Sequence, residues 1–188
     1  MIRRYDFGHP YQTGAIANPV PVCTDSVPHF DVRAEDGKVV FTRTMDDDDM
    51  IFGLGENVRG INKRGHLYRA WNSDDFSHTE NKASLYASHN FLMFYSRKEV
   101  FGVFVDDPGA ITFDLGYTDG GLAIITAEHG DCSFYVISGE NAVDVVRQFR
   151  CLTGRSYIPP KWGFGYIQSR WGYVTEEDLR TVDRKSVV

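Results

Sequence analysis

The fold is decided by residues 100–139, which read VFGVFVDDPGAITFDLGYTDGGLAIITAEHGDCSFYVISG. Short apolar runs alternate in this stretch with turns rich in Gly, Asp and Pro, a pattern typical of antiparallel β-sheets. The turns are only a few residues long, which is the length expected of hairpins. The same pattern extends back to residue 20 and predicts strands at residues 38–45, 89–97, 100–107, 110–117, 121–129 and 132–139.

These strands indicate a mainly β fold, an antiparallel β-sandwich or a related architecture. Several runs are apolar for most of their length, which predicts that both faces of a sheet are covered. The period then becomes helical, with apolar residues at Ala142, Val145, Val146, Phe149 and Leu152. We expect a helix near residues 141–152 that ends at Gly154 and closes a sandwich domain of residues 1–157.

A different kind of unit follows in residues 158–188, after the paired prolines of SYIPP. Residues 162–169 read WGFGYIQS and predict a buried strand, and TEED at 175–178 has the Thr-x-x-acid pattern that caps a helix. Strand, loop and helix in this order are typical of a β/α fold, and one such unit cannot bury its own apolar surface. We therefore expect the start of a barrel, cut from a longer protein.

Composition excludes several classes of function. The 188 residues are 42% hydrophobic and 24% charged, with a net charge of −6, so no basic face is offered to nucleic acid. No secretory signal and no apolar run of about 18 residues occurs, which predicts no membrane span and a cytoplasmic location. The cysteines, Cys23, Cys132 and Cys151, are too few and too scattered for a disulfide framework. The histidines have no metal-ligand spacing, so neither a metal nor another cofactor is expected.

Two short motifs invite a ligand, and both have simpler explanations. GLGENVRG at residues 53–60 lacks the third glycine and the following helix of a dinucleotide loop, and it predicts a sharp turn. DDDD at residues 46–49 lacks the spaced oxygen ligands of a calcium hand, and it predicts a solvated acidic turn.

The polar stretch RAWNSDDFSHTENKASLYASHNF, residues 69–91, is the best candidate for a binding loop. It carries Trp71, Asn72, Asp74, Asp75 and Asn90. Sugar sites combine an aromatic face, which stacks on a pyranose, with carboxylates and amides that hold hydroxyl groups. The alternative is an ordinary solvated loop with Trp71 turned into the core.

A second candidate is QSRWGY at residues 168–173, directly after the predicted barrel strand. β/α barrels keep their active sites at this end of the strands. Substrate contact and simple capping of the barrel end by Trp171 and Tyr173 both remain open.

Five segments together resemble the N-terminal part of an alpha-glucosidase of glycoside hydrolase family 31: FGLGEN, WNSDD, FGVFVDDPGAITFDLGY, YVISGENAVDVVRQFRCLTGR and PPKWGFGYIQSRWGY. The resemblance covers residues 51–180 and implies a galactose-mutarotase-like sandwich followed by a (β/α)8 catalytic barrel. On this basis residues 162–169 are the first strand of the barrel, and the rest of the barrel is missing.

The resemblance also implies a retaining mechanism, in which one aspartate attacks the sugar and a second acts as acid and then base. The family draws both aspartates from later barrel strands, so no catalytic residue is expected in this chain and the chain alone should be inactive. Asp106 and Asp107 are not replacements, because neighbours on a strand point to opposite faces.

Substrate contacts carried over from the family fall in the loop at Trp71, Asn72, Ser73 and Asp74. This loop reaches the sugar beyond the cleavage point, which makes Asp74 the leading contact and its neighbour Asp75 the second choice.

After the predicted barrel strand, the resemblance adds Arg170 and Trp171 as substrate contacts. Many members have Tyr where this chain has Trp171, so the preference between α-1,4 and α-1,6 linkages stays open. The expected partners are an α-glucoside di- or oligosaccharide, the missing barrel and a second copy paired through the exposed barrel strand. A free carbohydrate-binding sandwich and a purely structural domain are the competing functions.

Overall fold

Ten β-strands and one α-helix form the first of two units in the computed structural model, which describes residues 1–74, 76–167, 169 and 171–186. The two units are Met1–Arg155 and Ser156–Val188. The strands of the first unit are β1 (Ile2–Phe7), β2 (Asp31–Glu35), β3 (Lys38–Thr44), β4 (Met50–Gly53), β5 (His66–Ala70), β6 (Phe91–Tyr95), β7 (Val100–Asp106), β8 (Ile111–Leu115), β9 (Leu122–Ala127) and β10 (Cys132–Ser138).

The strands form two five-stranded antiparallel sheets. The first sheet has the order β1-β10-β7-β6-β4, and the second has the order β2-β3-β9-β8-β5. The sheets pack face to face, since Phe41 of β3 stacks on Phe134 of β10 with ring centres 3.9 Å apart. The antiparallel β-sandwich predicted from the sequence is confirmed.

The six predicted strands are all present, as β3 and β6 to β10, with ends within two residues of those expected. Four strands were not predicted: β1, β2, β4 and β5. All four are edge strands, and β2 is exposed at every residue but Val32. A strand with little buried surface has no apolar pattern to reveal it.

The helix α1 (Ala142–Thr153) confirms the predicted one. It begins where the Asn141 side chain accepts a hydrogen bond from the Asp144 amide at 3.0 Å, and it ends at Gly154, where φ is +94°. The helix covers the outer face of the first sheet, and the Phe149 ring stacks on Phe91 at 4.2 Å. Strand β7 is therefore buried on both faces, which explains its unbroken apolar run.

The GLG motif is a tight turn that follows β4. Gly53 has φ +127°, and a Cβ there would lie 2.2 Å from the carbonyl oxygen of Phe91. Gly55 has φ +67°, and a Cβ there would meet the His89 ring at 2.2 Å. Strand β6 and the end of the loop before it come so close to this turn that neither position has room for a side chain, which accounts for both glycines.

The acidic turn at residues 46–49 is more ordered than the predicted solvated turn. Asp49 is only 3% exposed, and its carboxylate accepts a hydrogen bond from the Asp46 amide at 3.0 Å. The Arg64 guanidinium donates to the carbonyl oxygens of Asp46 at 2.6 Å and of Asp49 at 3.1 Å. Burial of Asp49 is possible because these bonds fold the turn back on the sandwich.

The second unit, Ser156–Val188, corrects the predicted barrel strand. The described residues of the unit include no strand: a 3₁₀-helix occupies Lys161–Phe164, and Gln168 lies outside the described residues. The amides of Gly163 and Gly165 donate to the carbonyls of Pro160 and Trp162, at 2.8 and 3.0 Å. A parallel strand needs neighbouring strands to accept its amides, and here those amides bond locally instead.

The predicted helix start in the second unit is confirmed. Helix α2 (Glu176–Ser186) follows Thr175, whose hydroxyl accepts a hydrogen bond from the Asp178 amide at 3.2 Å. The Asp178 carboxylate in turn accepts from the Thr175 amide at 2.9 Å. This reciprocal capping depends only on nearby residues, so it forms without the rest of a barrel.

The three cysteines are free, as expected. Cys132 is buried in the core, and burial raises the pKa of its thiol to about 12, so it is a small apolar residue at neutral pH. Cys151, in contrast, is exposed on α1.

Within the described ranges, none of the helices has the length and apolar character required to cross a bilayer. The same part of the chain holds no cluster of three or more His, Cys, Asp or Glu side chains suited to a metal ion.

Candidate functional site

The candidate site is built on the loop between β5 and β6, which crosses from the edge of the second sheet to the first sheet. Two backbone hydrogen bonds fold the loop back on itself, from the Arg69 amide to the Ala83 carbonyl and from the Ser73 amide to the Leu85 carbonyl, both 2.9 Å. A third, also 2.9 Å, runs from the Ser88 amide to the Asn72 side-chain oxygen. The loop is therefore held at both its ends.

Trp71 lies on the surface of this loop, with 52% of the residue exposed. The alternative in which Trp71 turns into the core is wrong. The Arg69 guanidinium carbon lies 5.3 Å from the centre of the indole, which fixes the ring through a cation–π contact. The exposed part of the indole is a flat apolar surface that a sugar ring could cover.

Asp74 is exposed near the start of the same loop. Its carboxylate has no hydrogen bond or ion pair with any part of the chain that the structure describes, so its oxygens face solvent. Asp75 and Arg170, the other charged residues predicted to contact substrate, lie outside the described residues. Trp171 belongs to the second unit and is 99% exposed.

A cleft of about 370 Å³ lies beside Trp71, and we name it the Asp107 cleft. Its lining includes Trp71, Asn72, Ser88, Asn90, Asp107 and Gly109. The structure therefore brings Trp71 and Asn72 together as predicted, but Asp74 is not part of this lining.

Asp107 and Asn90 form the inner wall of the Asp107 cleft. One Asp107 oxygen, Oδ1, accepts a hydrogen bond from the Gly109 amide at 2.7 Å. The Asn90 amide group donates to the carbonyls of Val105 and Asp107, at 3.2 and 3.4 Å. These bonds orient both side chains. They leave one side-chain oxygen of each residue, Oδ2 of Asp107 and Oδ1 of Asn90, without a hydrogen bond to the described residues.

The neighbouring Asp106 faces a different cleft, with Arg4 and Thr13. Its Oδ1 accepts a hydrogen bond from the Thr13 hydroxyl at 2.5 Å, and burial raises the pKa of this carboxyl above its usual range. The prediction that Asp106 and Asp107 point to opposite sides is confirmed, so they are not a catalytic pair.

Sequence reasoning missed Asp107 and Gly109 as site residues, and it noted Asn90 only as one amide of the loop. Asp107 was considered only as half of an acid pair. The available signal was its place at the end of a buried strand, directly before a Pro-Gly turn, where a polar side chain is often functional.

The fold is a mainly β-sandwich domain. Its two antiparallel sheets pack together and are closed by a helix, and a hydrogen-bonded loop with aromatic and polar residues lies at the edge. The chain belongs to the glycosyl hydrolase 31 N-terminal galactose mutarotase-like domain family, whose model matches residues 9–114. The resemblance found in the sequence is confirmed.

Relatives include alpha-glucosidase 2 of Bacillus thermoamyloliquefaciens, which is 36% identical over 147 residues, covering 78% of this chain and 19% of that protein. The alpha-xylosidase XylQ of Lactiplantibacillus pentosus is 28% identical over 145 residues, covering 76% of this chain and 18% of that protein. Among solved structures, a family 31 dextranase of Flavobacterium johnsoniae, complexed with glucose, superposes with a TM-score of 0.74 at 28% identity. That match covers 86% of this chain and 19% of the dextranase. The chain thus spans about a fifth of the length of these relatives.

Proposed function

We propose that this chain is the N-terminal domain of a retaining alpha-glucosidase, in which the loop at residues 71–74 contacts the sugar beyond the bond that is cleaved. The observation that carries the proposal is the hydrogen-bonded loop between β5 and β6. It presents an exposed indole at Trp71 and, at Asp74, an exposed carboxylate without a partner among the described residues. Membership of the family supports it, since the relatives named above are glycosidases.

The role of Asp74 follows from its chemistry. An ionised carboxylate is an acceptor only, and it can accept hydrogen bonds from two hydroxyl groups of one sugar. Hydrogen bonds to a charged group contribute roughly 1.5–3 kcal/mol each, and less at a wet rim. Loss of the carboxylate should therefore weaken turnover of a disaccharide by about one to two decades.

Hydrolysis itself requires two carboxylates about 5 Å apart on either side of the glycosidic bond. In this proposal a catalytic barrel supplies both, and the chain supplies the outer wall of the pocket. The isolated chain should not hydrolyse maltose, isomaltose or an aryl α-glucoside.

The test is a chimera in which this chain replaces the matching segment of the Bacillus alpha-glucosidase. We expect Asp74→Ala in the chimera to lower kcat/KM on maltose or isomaltose by about one to two decades, for the reason just given. An aryl α-glucoside has no second sugar, so its hydrolysis should change little. Comparison of maltose with isomaltose also reports the linkage that the loop favours.

The matched control is Asp47→Ala, which removes another exposed aspartate from the turn between β3 and β4. It should leave all three substrates unaffected. Equal losses on all three substrates with Asp74→Ala would assign Asp74 to folding or chemistry. No loss on any substrate would return the loop to a solvated connection.

A cytoplasmic location is part of the same proposal. It is supported by the three free thiols, since secreted proteins with several cysteines usually pair them.

A further inference from the structure

Two side-chain oxygens at the Asp107 cleft have no hydrogen-bond partner. They are Oδ2 of Asp107 and Oδ1 of Asn90, and both are shielded from solvent. Asp107 as a residue is only 8% exposed. Within the described part of the chain, no donor is directed at either oxygen.

An acceptor that is shielded from water and unpaired costs about 1–3 kcal/mol, and more when it is charged. Native proteins keep few such groups, and each of them has a structural or functional cause. Because both atoms accept and neither donates, the missing partner must carry donors.

The other residues that line the cleft indicate which kind of molecule supplies the donors. Trp71, which is 52% exposed, lines the same cleft as Asp107 and Asn90. A molecule that combines an apolar face with adjacent hydroxyl groups matches this combination, and a pyranose is such a molecule. The volume of about 370 Å³ falls within the usual range of small-molecule sites, about 300–1,000 Å³.

We propose that the Asp107 cleft binds one pyranose unit of an α-glucoside. Two of its hydroxyl groups donate to Oδ2 of Asp107 and Oδ1 of Asn90, and its apolar face lies against Trp71. Both residues line the cleft, and the terminal side-chain torsions of Asp and Asn are soft, so in this proposal a rotation about them brings the two oxygens to the bound hydroxyl groups. The choice of an α-glucoside as ligand rests on the proposed function, whereas the site itself rests on the two unpaired oxygens.

The first experiment titrates maltose and isomaltose, each to high millimolar concentration, into the chain and follows its amide spectrum by NMR. We expect the Asn90 side-chain amide and the Gly109 backbone amide to shift with a single saturating affinity. Absence of any shift in these two groups would overturn the proposal for the Asp107 cleft. The role proposed for Asp74 would be unaffected, because the chimera tests it separately.

The second experiment uses Asp107→Asn, which keeps an oxygen for the Gly109 amide and places a donor where Oδ2 was. We expect affinity for the disaccharide to fall about tenfold or more, because one charged acceptor is lost. The melting temperature should stay the same or rise, since a buried unpaired charge is removed. A lower melting temperature with unchanged sugar binding would assign Asp107 a purely structural role and overturn the proposal.

Asp106→Asn is the matched control, because it changes the adjacent residue, which faces another cleft. It should leave sugar affinity unchanged. Calcium chloride alone is the competing probe, as an oxygen-rich wall also suits a hard cation. Calcium-induced shifts at Asn90 and Gly109, without any response to sugar, would replace the proposal with a cation site.

Discussion

At the scale of single residues, the buried position of Asp106 at the end of a strand changes the pKa of its carboxyl. Asp106 is the last residue of β7 and only 7% exposed, and it is held by the Thr13 hydroxyl. Burial raises the pKa of its carboxyl, so the folded protein binds a proton there more tightly than the unfolded chain does. The ionised form therefore reduces stability at neutral pH.

We predict that Asp106→Asn raises the melting temperature at pH 7, because the amide removes the buried charge while its oxygen still accepts from Thr13. The difference in melting temperature between Asp106→Asn and the native chain should be largest at pH values above the raised pKa of Asp106 in the folded protein. It should disappear as the pH falls below the unfolded value of about 3.9, where Asp106 is neutral in both states. Thermal melts between pH 3 and 8 measure this difference. The exposed Asp47→Asn is the control, and a difference between Asp106→Asn and the native chain that does not vary with pH would contradict the argument.

Sequence reasoning reached part of the candidate site at this scale. Trp71, Asn72 and Asp74 are close in the sequence and lie in one loop, so their residue types marked the loop as a candidate, and the family resemblance singled out Asp74. Asn90 and Asp107 meet only because β6 and β7 pair side by side. Their missing hydrogen-bond partners depend on three-dimensional surroundings, which no local pattern encodes.

At the scale of elements, the boundaries that side chains fix locally were predicted well. Asn141 and Gly154 mark the ends of α1, and Thr175 marks the start of α2. The predicted barrel strand failed because a parallel strand is defined by its neighbours and not by its own residues. Edge strands were missed for a related reason, since their exposed faces carry no apolar period.

We predict that Asn141→Ala lowers the free energy of unfolding by about 0.5–2 kcal/mol, because the first turn of α1 loses its side-chain cap. Urea denaturation measures this as a lower midpoint with an unchanged slope. Glu140→Ala is the matched control, since that residue precedes the cap and only its backbone amide bonds to Asp144. Equal effects of the two substitutions would mean that the cap does not stabilise the helix.

At the scale of the whole molecule, the two units differ in how well each is buried. The first has its core between two sheets, where Phe41, Phe113, Ile125 and Phe134 are fully buried. The second exposes large apolar side chains, with Trp162 at 81%, Phe164 at 72% and Trp171 at 99%. Exposed apolar surface of this kind favours association.

We predict that the full chain associates with itself as its concentration rises, and that residues 1–155 alone stay monomeric. Sedimentation velocity over a hundredfold range of concentration measures both. Circular dichroism of the shortened chain checks that the sandwich, whose core lies within residues 1–155, is still folded. Association that persists after the truncation would place the contact on the sandwich and remove the second unit as its cause.

The pairing of β1 with β10, in which Ile2 lies opposite Ile137, also sets the order of events during synthesis. Strand β1 is made long before the strand that pairs with it, because β10 is the last strand of the sandwich to be translated. Translation adds roughly 5–20 residues per second, so β1 waits for several seconds with its amides unpaired. A nascent chain interrupted before β10 therefore lacks the strand that joins β1 to β7, and we expect it to stay unfolded instead of forming a smaller folded domain.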